Sequence, residues 1–179
     1  MTSFFDITST LPWPNAIGKR TAVGPLVGAA ESEAISELAR TTPLILVITA
    51  ATAAAHNLAS ELPFFLSDDR EILLVPDWET LPYDNFSPHE DIVSDRLKAL
   101  SRLPTLKSGV VIVSVTTLMH RLAPRHFIDA GVLSLKTGET LDAEQFVRNL
   151  TRNGYRSVDT VYEHGEFATR GSLLSLIHI

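Results

Sequence analysis

Residues 24–31 have the glycines that a phosphate-binding loop needs. Such a loop wraps phosphates in backbone N–H groups, and it places a lysine and a hydroxyl side chain on the β- and γ-phosphates and Mg²⁺. Gly24 and Gly28 supply the glycines, but no lysine, serine or threonine stands where those two side chains are required, and the acidic Glu31 stands there instead. We therefore interpret Gly24, Gly28 and Glu31 as a degenerate nucleotide loop and expect no working ATP site.

The acidic residues and histidines do not have the spacing of a metal site. Asp77 and Glu79 follow an apolar run, as the Mg²⁺-holding acids of nucleotide hydrolases do, but a proline and a tryptophan interrupt them, so we interpret them as exposed loop acids. His164 and Glu166 lie two apart on a predicted strand without a third ligand nearby. The chain has no cysteine, which excludes thiolate sites. We expect the six histidines to be structural or solvated and predict no metal site.

The string Phe167-Ala168-Thr169-Arg170-Gly171 is more informative, because it pairs an apolar anchor with an arginine on a predicted edge or hairpin strand. An exposed arginine beside an aromatic ring is the composition of a protein-interaction hot spot. A solvated arginine beside a core phenylalanine has the same composition. Residue types alone therefore leave both interpretations open and favour the second.

The composition is that of a folded protein. The 179 residues are 45% hydrophobic and 20% charged, enough for one domain or for one domain and the start of another. The longest apolar stretches, such as residues 44–51, are far shorter than the roughly 20 residues of a membrane span, and the N-terminus has no features of a secretory signal. The absence of cysteine suits a reducing compartment, so we predict a cytoplasmic protein without membrane contact. The net charge of −6 argues against a stand-alone nucleic-acid binder.

Strand and helix patterns alternate through residue 130, which predicts an α/β fold with a parallel sheet and helices on both faces. Uninterrupted aliphatic runs indicate strands covered on both faces, and apolar positions at helical spacing indicate helices. The predicted strands span residues 21–23, 44–48, 72–75 and 110–115. The predicted helices are one over 31–40, one stopped by Pro63, one capped by Ser87 with Val93, Leu97 and Leu100 buried, and a short one capped by Thr116 or Thr117 that ends at Pro124.

The pattern changes near residue 130. Alternating apolar and polar positions over 132–136 indicate a strand with one solvated face. A helix over about 141–153 follows, with Phe146 and Leu150 inward and Gly154 at its end, and residues 155–176 have the pattern of a β-meander. We therefore divide the chain into a flexible arm (1–16), an α/β domain without an ATP site (17–130) and the start of a small α+β module (131–179).

Three longer strings carry a family resemblance. They are Asp77-Trp78-Glu79-Thr80-Leu81-Pro82-Tyr83-Asp84 with Phe86-Ser87-Pro88-His89, then Val115-Thr116-Thr117-Leu118-Met119, and Glu163-His164-Gly165-Glu166-Phe167-Ala168-Thr169-Arg170-Gly171. In these strings the chain closely resembles the bacterial transcription-repair coupling factors, in register from about residue 21 to residue 174. Part of the pattern is shared with component B of the ABC excinuclease.

The resemblance implies both a fold and a function. Members of the family are ATP-dependent DNA translocases that remove RNA polymerase stalled at DNA damage and recruit excinuclease component A for nucleotide excision repair. Their N-terminal region is a helicase-like α/β domain, a degenerate P-loop NTPase, followed by a small module that binds component A. Their ATP and Mg²⁺ belong to a motor far downstream, and RNA polymerase and DNA contact downstream domains.

The resemblance therefore implies that this chain is a non-catalytic protein-interaction platform. It needs no cofactor, and its partners are excinuclease component A and other domains of the longer protein. The match of Arg170 to the family's Phe-x-x-Arg-Gly string implies that Arg170 and Phe167 belong to the surface that meets component A.

Residues 175–179 depart from the family pattern, which continues with an acidic residue, an apolar pair and a proline-containing turn. We expect the small module to be cut within its sheet at this point, which leaves unpaired strand edges. Two other functions stay compatible with the residues. One is a nucleotide-binding α/β hydrolase with an atypical phosphate loop, and the other is an autoinhibitory domain that packs on the rest of the longer protein.

Overall fold

The computed structural model describes residues 11–13, 16–67, 69–81, 83–132, 135 and 137–177. Most of the expected arm and most of the strand expected over 132–136 lie outside these described residues. The chain forms two compact units: unit 1 is Met1–Val75 with Thr105–Met119, and unit 2 is Pro76–Pro104 with His120–Ile179. The domain limits expected at residues 16 and 130 stay predictions.

Helices and strands alternate through the first part of the chain. In chain order they are α1 (Ala30–Thr41), β1 (Leu44–Thr49), α2 (Thr52–Phe65), β2 (Glu71–Val75), α3 (Glu90–Arg102), a 3₁₀ turn (Leu103–Thr105), β3 (Gly109–Ser114), α4 (Val115–Met119), α5 (Arg125–Gly131), α6 (Ala143–Arg152), β4 (Arg156–Ser157), β5 (Glu166–Arg170) and β6 (Leu173–Leu176).

Unit 1 contains a parallel three-stranded sheet with the strand order β1-β3-β2. The central strand β3 pairs in parallel with both neighbours, so that Leu44 and Glu71 both lie opposite Gly109. Every residue of β3 is buried, as the uninterrupted run of valine and isoleucine predicts for a strand covered on both faces. The predicted α/β class with a parallel sheet is thus confirmed, with three strands.

Helices α1 and α2 pack on each other, and α2 contacts all three strands of this sheet. Their apolar cluster is formed by Ala39, Ile45, Ala55, Leu58, Leu62, Val110 and Ile112. Pro63 lies inside α2 and does not stop it at that residue, contrary to the prediction; the helix ends at Phe65, and the N–H of Leu66 still bonds to the carbonyl of Leu62. Pro63 removes one backbone donor, but the burial of Leu62 keeps this turn in place.

Three further predictions for unit 1 are wrong. Residues 21–23 form no strand, and their backbone has no regular structure. Strand β1 is covered on one face only: Ile45 packs in the apolar cluster with α2, whereas Leu44, Leu46 and Ile48 on the other face are exposed. The hydroxyl of Ser114, rather than Thr116 or Thr117, caps α4 by accepting the N–H of Thr117 at 3.2 Å.

In unit 2, helix α3 begins two residues later than predicted. His89 has extended backbone and occupies the N-cap position, where its Nδ1 accepts the N–H of Asp91 at 3.3 Å, so Ser87 is not the cap. The predicted apolar stripe of α3 is only half-buried, and its fully buried residues are Ser94, Arg96 and Ala99. Pro124 does not end α4; that helix stops at Met119, and Pro124 precedes α5, which packs against α3.

The second sheet, in unit 2, has the order β4-β5-β6. Strands β5 and β6 form an antiparallel hairpin, but β4 runs parallel to β5, so the meander prediction is wrong for β4. The connection over residues 158–165 returns the chain to the start of β5, so that β4 and β5 run in the same direction. The predicted helix is confirmed as α6, which is capped by Asp142 and packs Phe146 and Leu150 against Phe167. Among the described residues, no helix has both the length and the apolar character to cross a membrane.

Candidate functional site

The β5–β6 hairpin carries both residues that the sequence assigned to partner binding. Phe167 is 2% exposed and packs against Phe146 and Leu150 of α6. Arg170 is exposed at the end of the same strand. Because side chains alternate along a strand, residues three apart lie on opposite faces. The structure therefore places Phe167 in the core as the anchor of β5 and Arg170 on the outer face.

The face of the hairpin opposite to Phe167 is open. Arg170 lies directly across from Leu173, and Ala168 lies across from Ser175. Leu173 is 72% exposed, and Arg170 forms no ion pair with any other residue that the structure describes. The open face thus presents an unpaired cation and an exposed aliphatic side chain next to two small residues, which is a composition that a complementary protein surface can cover.

A set of polar contacts joins the first turns of α3 to the segment around β4 and β5; we call it the α3 clamp (Glu90, Asp91 and Ser94 with Arg156 and His164). Nε2 of His164 lies 3.2 Å from Oδ1 of Asp91, and Nδ1 of the same ring lies 3.4 Å from Oγ of Ser94. The guanidinium of Arg156 lies 3.9 Å from a carboxylate oxygen of Glu90. His164 precedes β5 instead of lying within it, and both of its ring nitrogens face side chains of α3.

Arg156 and Glu166 complete the support at this end of β5. The guanidinium of Arg156 lies 3.4 Å from Glu163 and 3.6 Å from Glu166. The other oxygen of Glu166 accepts the backbone N–H groups of Tyr162 at 3.0 Å and Glu163 at 3.1 Å. These two hydrogen bonds lower the pKa of Glu166; burial opposes the shift, and the charge of Arg156 adds to it. The ionised carboxylate of Glu166 therefore links the loop that precedes it to Arg156 of β4.

A buried cation in α3 is a feature that the sequence reasoning missed. Arg96 is 1% exposed, its guanidinium carbon lies 4.2 Å from the centroid of the Trp78 ring, and its terminal nitrogen donates to the carbonyl of Pro76. Burial lowers the pKa of Arg96, and the charge of Asp77 opposes that shift. Asp77 is thus half-buried beside a cation and is not the exposed loop acid that was predicted, whereas Glu79 is exposed.

The segment interpreted as a degenerate nucleotide loop lies in unit 1. Gly24, Gly28 and Glu31 are all exposed, and the backbone of residues 21–27 has no regular structure. Gly28 has φ +63° in the turn that leads into α1. The segment therefore enters a helix without leaving a strand, whereas a phosphate-binding loop connects a strand to a helix. Among the described residues, no group of three histidine, aspartate or glutamate side chains has a geometry that could hold a metal ion.

Comparison with known proteins places the hairpin in a recognised domain. Residues 133–179 match the family described as the UvrB interaction domain. The chain is 43% identical to the transcription-repair-coupling factor of Escherichia coli K12 over 164 residues, which are 91% of this chain and 14% of that protein. It is 42% identical to the Haemophilus influenzae protein of the same name over 155 residues, 86% of this chain and 13% of that protein. The chain thus spans about one seventh of the length of these curated relatives.

Proposed function

Because this chain is homologous to one segment of the transcription-repair-coupling factors, we propose that it recruits excinuclease component A to a longer DNA-repair protein. The segment acts as a protein-interaction platform and has no catalytic step of its own. The observation that carries the proposal is the exposed pair of Arg170 and Leu173 on the open face of the β5–β6 hairpin, within the residues that match the UvrB interaction domain.

The chemistry of the open face defines what the partner surface offers. A guanidinium presents five N–H donors in a planar fork, so its best protein partner is a carboxylate held in a bidentate geometry. Leu173 lies beside Arg170 and needs an apolar side chain on the partner. Phe167 contributes from the core, because its packing on α6 holds β5 so that Arg170 faces outward. The proposed partner surface therefore combines an acidic and an apolar residue.

We further propose that unit 1 is a helicase-like domain that has lost its nucleotide site. Its parallel sheet with α1 and α2 supports this architecture. The exposed Glu31 and the lack of a strand before Gly24 among the described residues support a segment that works without ATP. In this proposal the longer protein is a cytoplasmic ATP-dependent DNA translocase that displaces stalled RNA polymerase, and its ATP, Mg²⁺, DNA and polymerase bind other segments.

The recruitment proposal is tested by calorimetric titration of this chain with purified excinuclease component A. We expect Arg170→Ala to weaken binding by about 5- to 30-fold, because an exposed hot-spot arginine contributes about 1–2 kcal/mol. The matched control is Arg152→Ala, which removes an exposed arginine of α6 from the same unit and should leave the affinity unchanged. Absence of binding by the unaltered chain would contradict recruitment, and equal affinities of both variants would remove Arg170 from the site.

A second titration separates the platform from a nucleotide hydrolase. We expect no saturable heat when ATP and Mg²⁺ are added to the chain, because Glu31 repels a triphosphate and no lysine lies beside it in the sequence. A saturable isotherm would contradict the platform proposal. The autoinhibitory alternative makes a different prediction, since deletion of this segment would then raise the ATPase rate of the longer protein.

A further inference from the structure

We propose that the first turns of α3 position the β5–β6 hairpin through the α3 clamp, so that the partner-binding site depends on residues outside 133–179. This inference rests on the proposed recruitment through Arg170. The residues that match the UvrB interaction domain contain the hairpin but not Asp91 or Ser94. The contacts of unit 2 nevertheless tie the entry of β5 to these two residues.

Both ring nitrogens of His164 are engaged by α3. With the proton on Nε2, the ring donates to Asp91 at 3.2 Å, and Nδ1 accepts the hydroxyl of Ser94 at 3.4 Å. Ser94 is 6% exposed, so its hydroxyl is fixed by packing. A ring held at both nitrogens has one orientation, and the backbone of residue 164 is fixed with it.

The position of His164 connects its contacts with α3 to Arg170 through strand β5. His164 precedes Glu166, the first residue of β5, and the strand runs from there to Arg170 without a break. Arg156 holds the same end of the sheet, because it lies opposite Glu166 in the β4–β5 pairing and contacts Glu90 on α3. The base of the hairpin is therefore attached to α3, whereas its tip is exposed. We expect movement of the base to displace the tip, because β5 is one continuous strand from Glu166 to Arg170.

The variants that test the clamp are Asp91→Ala, His164→Ala and their combination. Asp95→Ala is the matched control, because Asp95 is an exposed acid one turn later on α3. The first measurement is hydrogen exchange of the backbone amides of β5 and β6 in the full chain without a partner. We expect exchange to become faster by about threefold or more in each single variant than in the unaltered chain. The double variant should exchange no faster than the single variants, because both substitutions break the same contact. The control should exchange at the unaltered rate.

The second measurement is the affinity for excinuclease component A with Arg170 present and with Arg170→Ala. We expect Asp91→Ala to weaken binding by about three- to tenfold when Arg170 is present and by less than about twofold in the Arg170→Ala background, because a positioning residue acts through the side chain that it positions. His164→Ala should behave in the same way. A residue that stabilises only the fold would weaken binding equally in both backgrounds.

The outcomes separate the two proposals. Unaltered hydrogen exchange in Asp91→Ala and His164→Ala would overturn the clamp, and so would equal losses of affinity in both backgrounds. If Arg170→Ala itself leaves the affinity unchanged, recruitment through Arg170 is wrong, and so is the proposed effect of the α3 clamp on partner binding. The exchange rates then decide separately whether α3 orders the hairpin.

Discussion

Arg170 and Leu173 lie directly opposite each other in the β5–β6 hairpin and form its last cross-strand pair before the turn at Gly171 and Ser172. Both side chains are exposed on the face opposite to the core residue Phe167. A large aliphatic side chain at 72% exposure contributes little to the core of its own unit. The pair is therefore available to a partner at little cost to the stability of the fold.

Leu173→Ala tests the apolar half of this pair. We expect the affinity for excinuclease component A to fall by about three- to tenfold, because the buried methyl groups would be lost from the interface. The free energy of unfolding should change by less than about 0.5 kcal/mol, as at other exposed positions. Leu135→Ala is the control, since Leu135 is exposed in the same unit outside the hairpin. An unchanged affinity of Leu173→Ala would restrict the contact to Arg170.

Gly109→Ala tests the close pairing of the parallel sheet in unit 1. Gly109 has φ +143°, and a Cβ at this position would lie 2.2 Å from the carbonyl oxygen of Glu71. That oxygen belongs to the backbone of β2 and cannot move without breaking the β2–β3 pairing. We expect a loss of about 3 kcal/mol or more in urea unfolding, from the clash and the unfavourable φ together. Gly24→Ala, which meets no atom within 4 Å, should unfold at the unaltered urea concentration.

The strands and helices could be predicted where burial alone selects the residue types. The valine and isoleucine run of β3 and the helical spacing of Phe146 and Leu150 each indicated the correct element. The cap of α3 could not be predicted in the same way. Ser87 and Pro88 have the right residue types for a helix start, but His89 takes the N-cap position because the extended backbone continues to it.

The features that support the candidate site depend on contacts between distant residues. Ser94 and His164 are 70 positions apart, and a search for ligands near His164 in sequence does not reach Ser94 or Asp91. Arg96 had a sequence signal, since it lies three residues after Val93 and four before Leu100, within the predicted apolar stripe. An apolar pattern predicts the buried face of a helix from its hydrophobic residues alone, and it does not include a buried cation. Arg170 was correctly expected to be exposed, but Phe167 proved to be its anchor on the opposite face.

Arg96→Ala tests the buried cation of α3. We expect a loss of about 2–4 kcal/mol in the free energy of unfolding, because the variant loses a desolvated cation–π contact with Trp78 and leaves the carbonyl of Pro76 without this donor. Arg96→Lys should recover only part of the loss, since an ammonium group lacks the planar face that stacks on the ring. Urea unfolding measures the free energy of unfolding of both variants, and Lys98→Ala, at an exposed position of α3, is the control. Full recovery by lysine would mean that charge alone matters at this position.

The stability of unit 2 should depend on pH through Glu166. Hydrogen bonds from the N–H groups of Tyr162 and Glu163 lower the pKa of this carboxyl below its ordinary value of 4.5, and Arg156 adds to the shift. A carboxyl with a lower pKa in the folded state stabilises that state at pH values above its unfolded pKa, and this stabilisation is lost as the pH falls through its folded pKa.

We therefore expect Glu166→Gln to unfold at a lower temperature than the unaltered chain at neutral pH, because an amide oxygen accepts the two N–H groups without a charge and cannot pair with Arg156. The difference between the two unfolding temperatures should shrink as the pH falls from 4.5 through the lower pKa of Glu166 in the folded chain, below which the native carboxyl is protonated as well. Thermal unfolding over a pH series measures this, with Glu139→Gln as an exposed control in the same unit. A difference that persists undiminished in strong acid would show that the ionised carboxylate is not the source of the stabilisation.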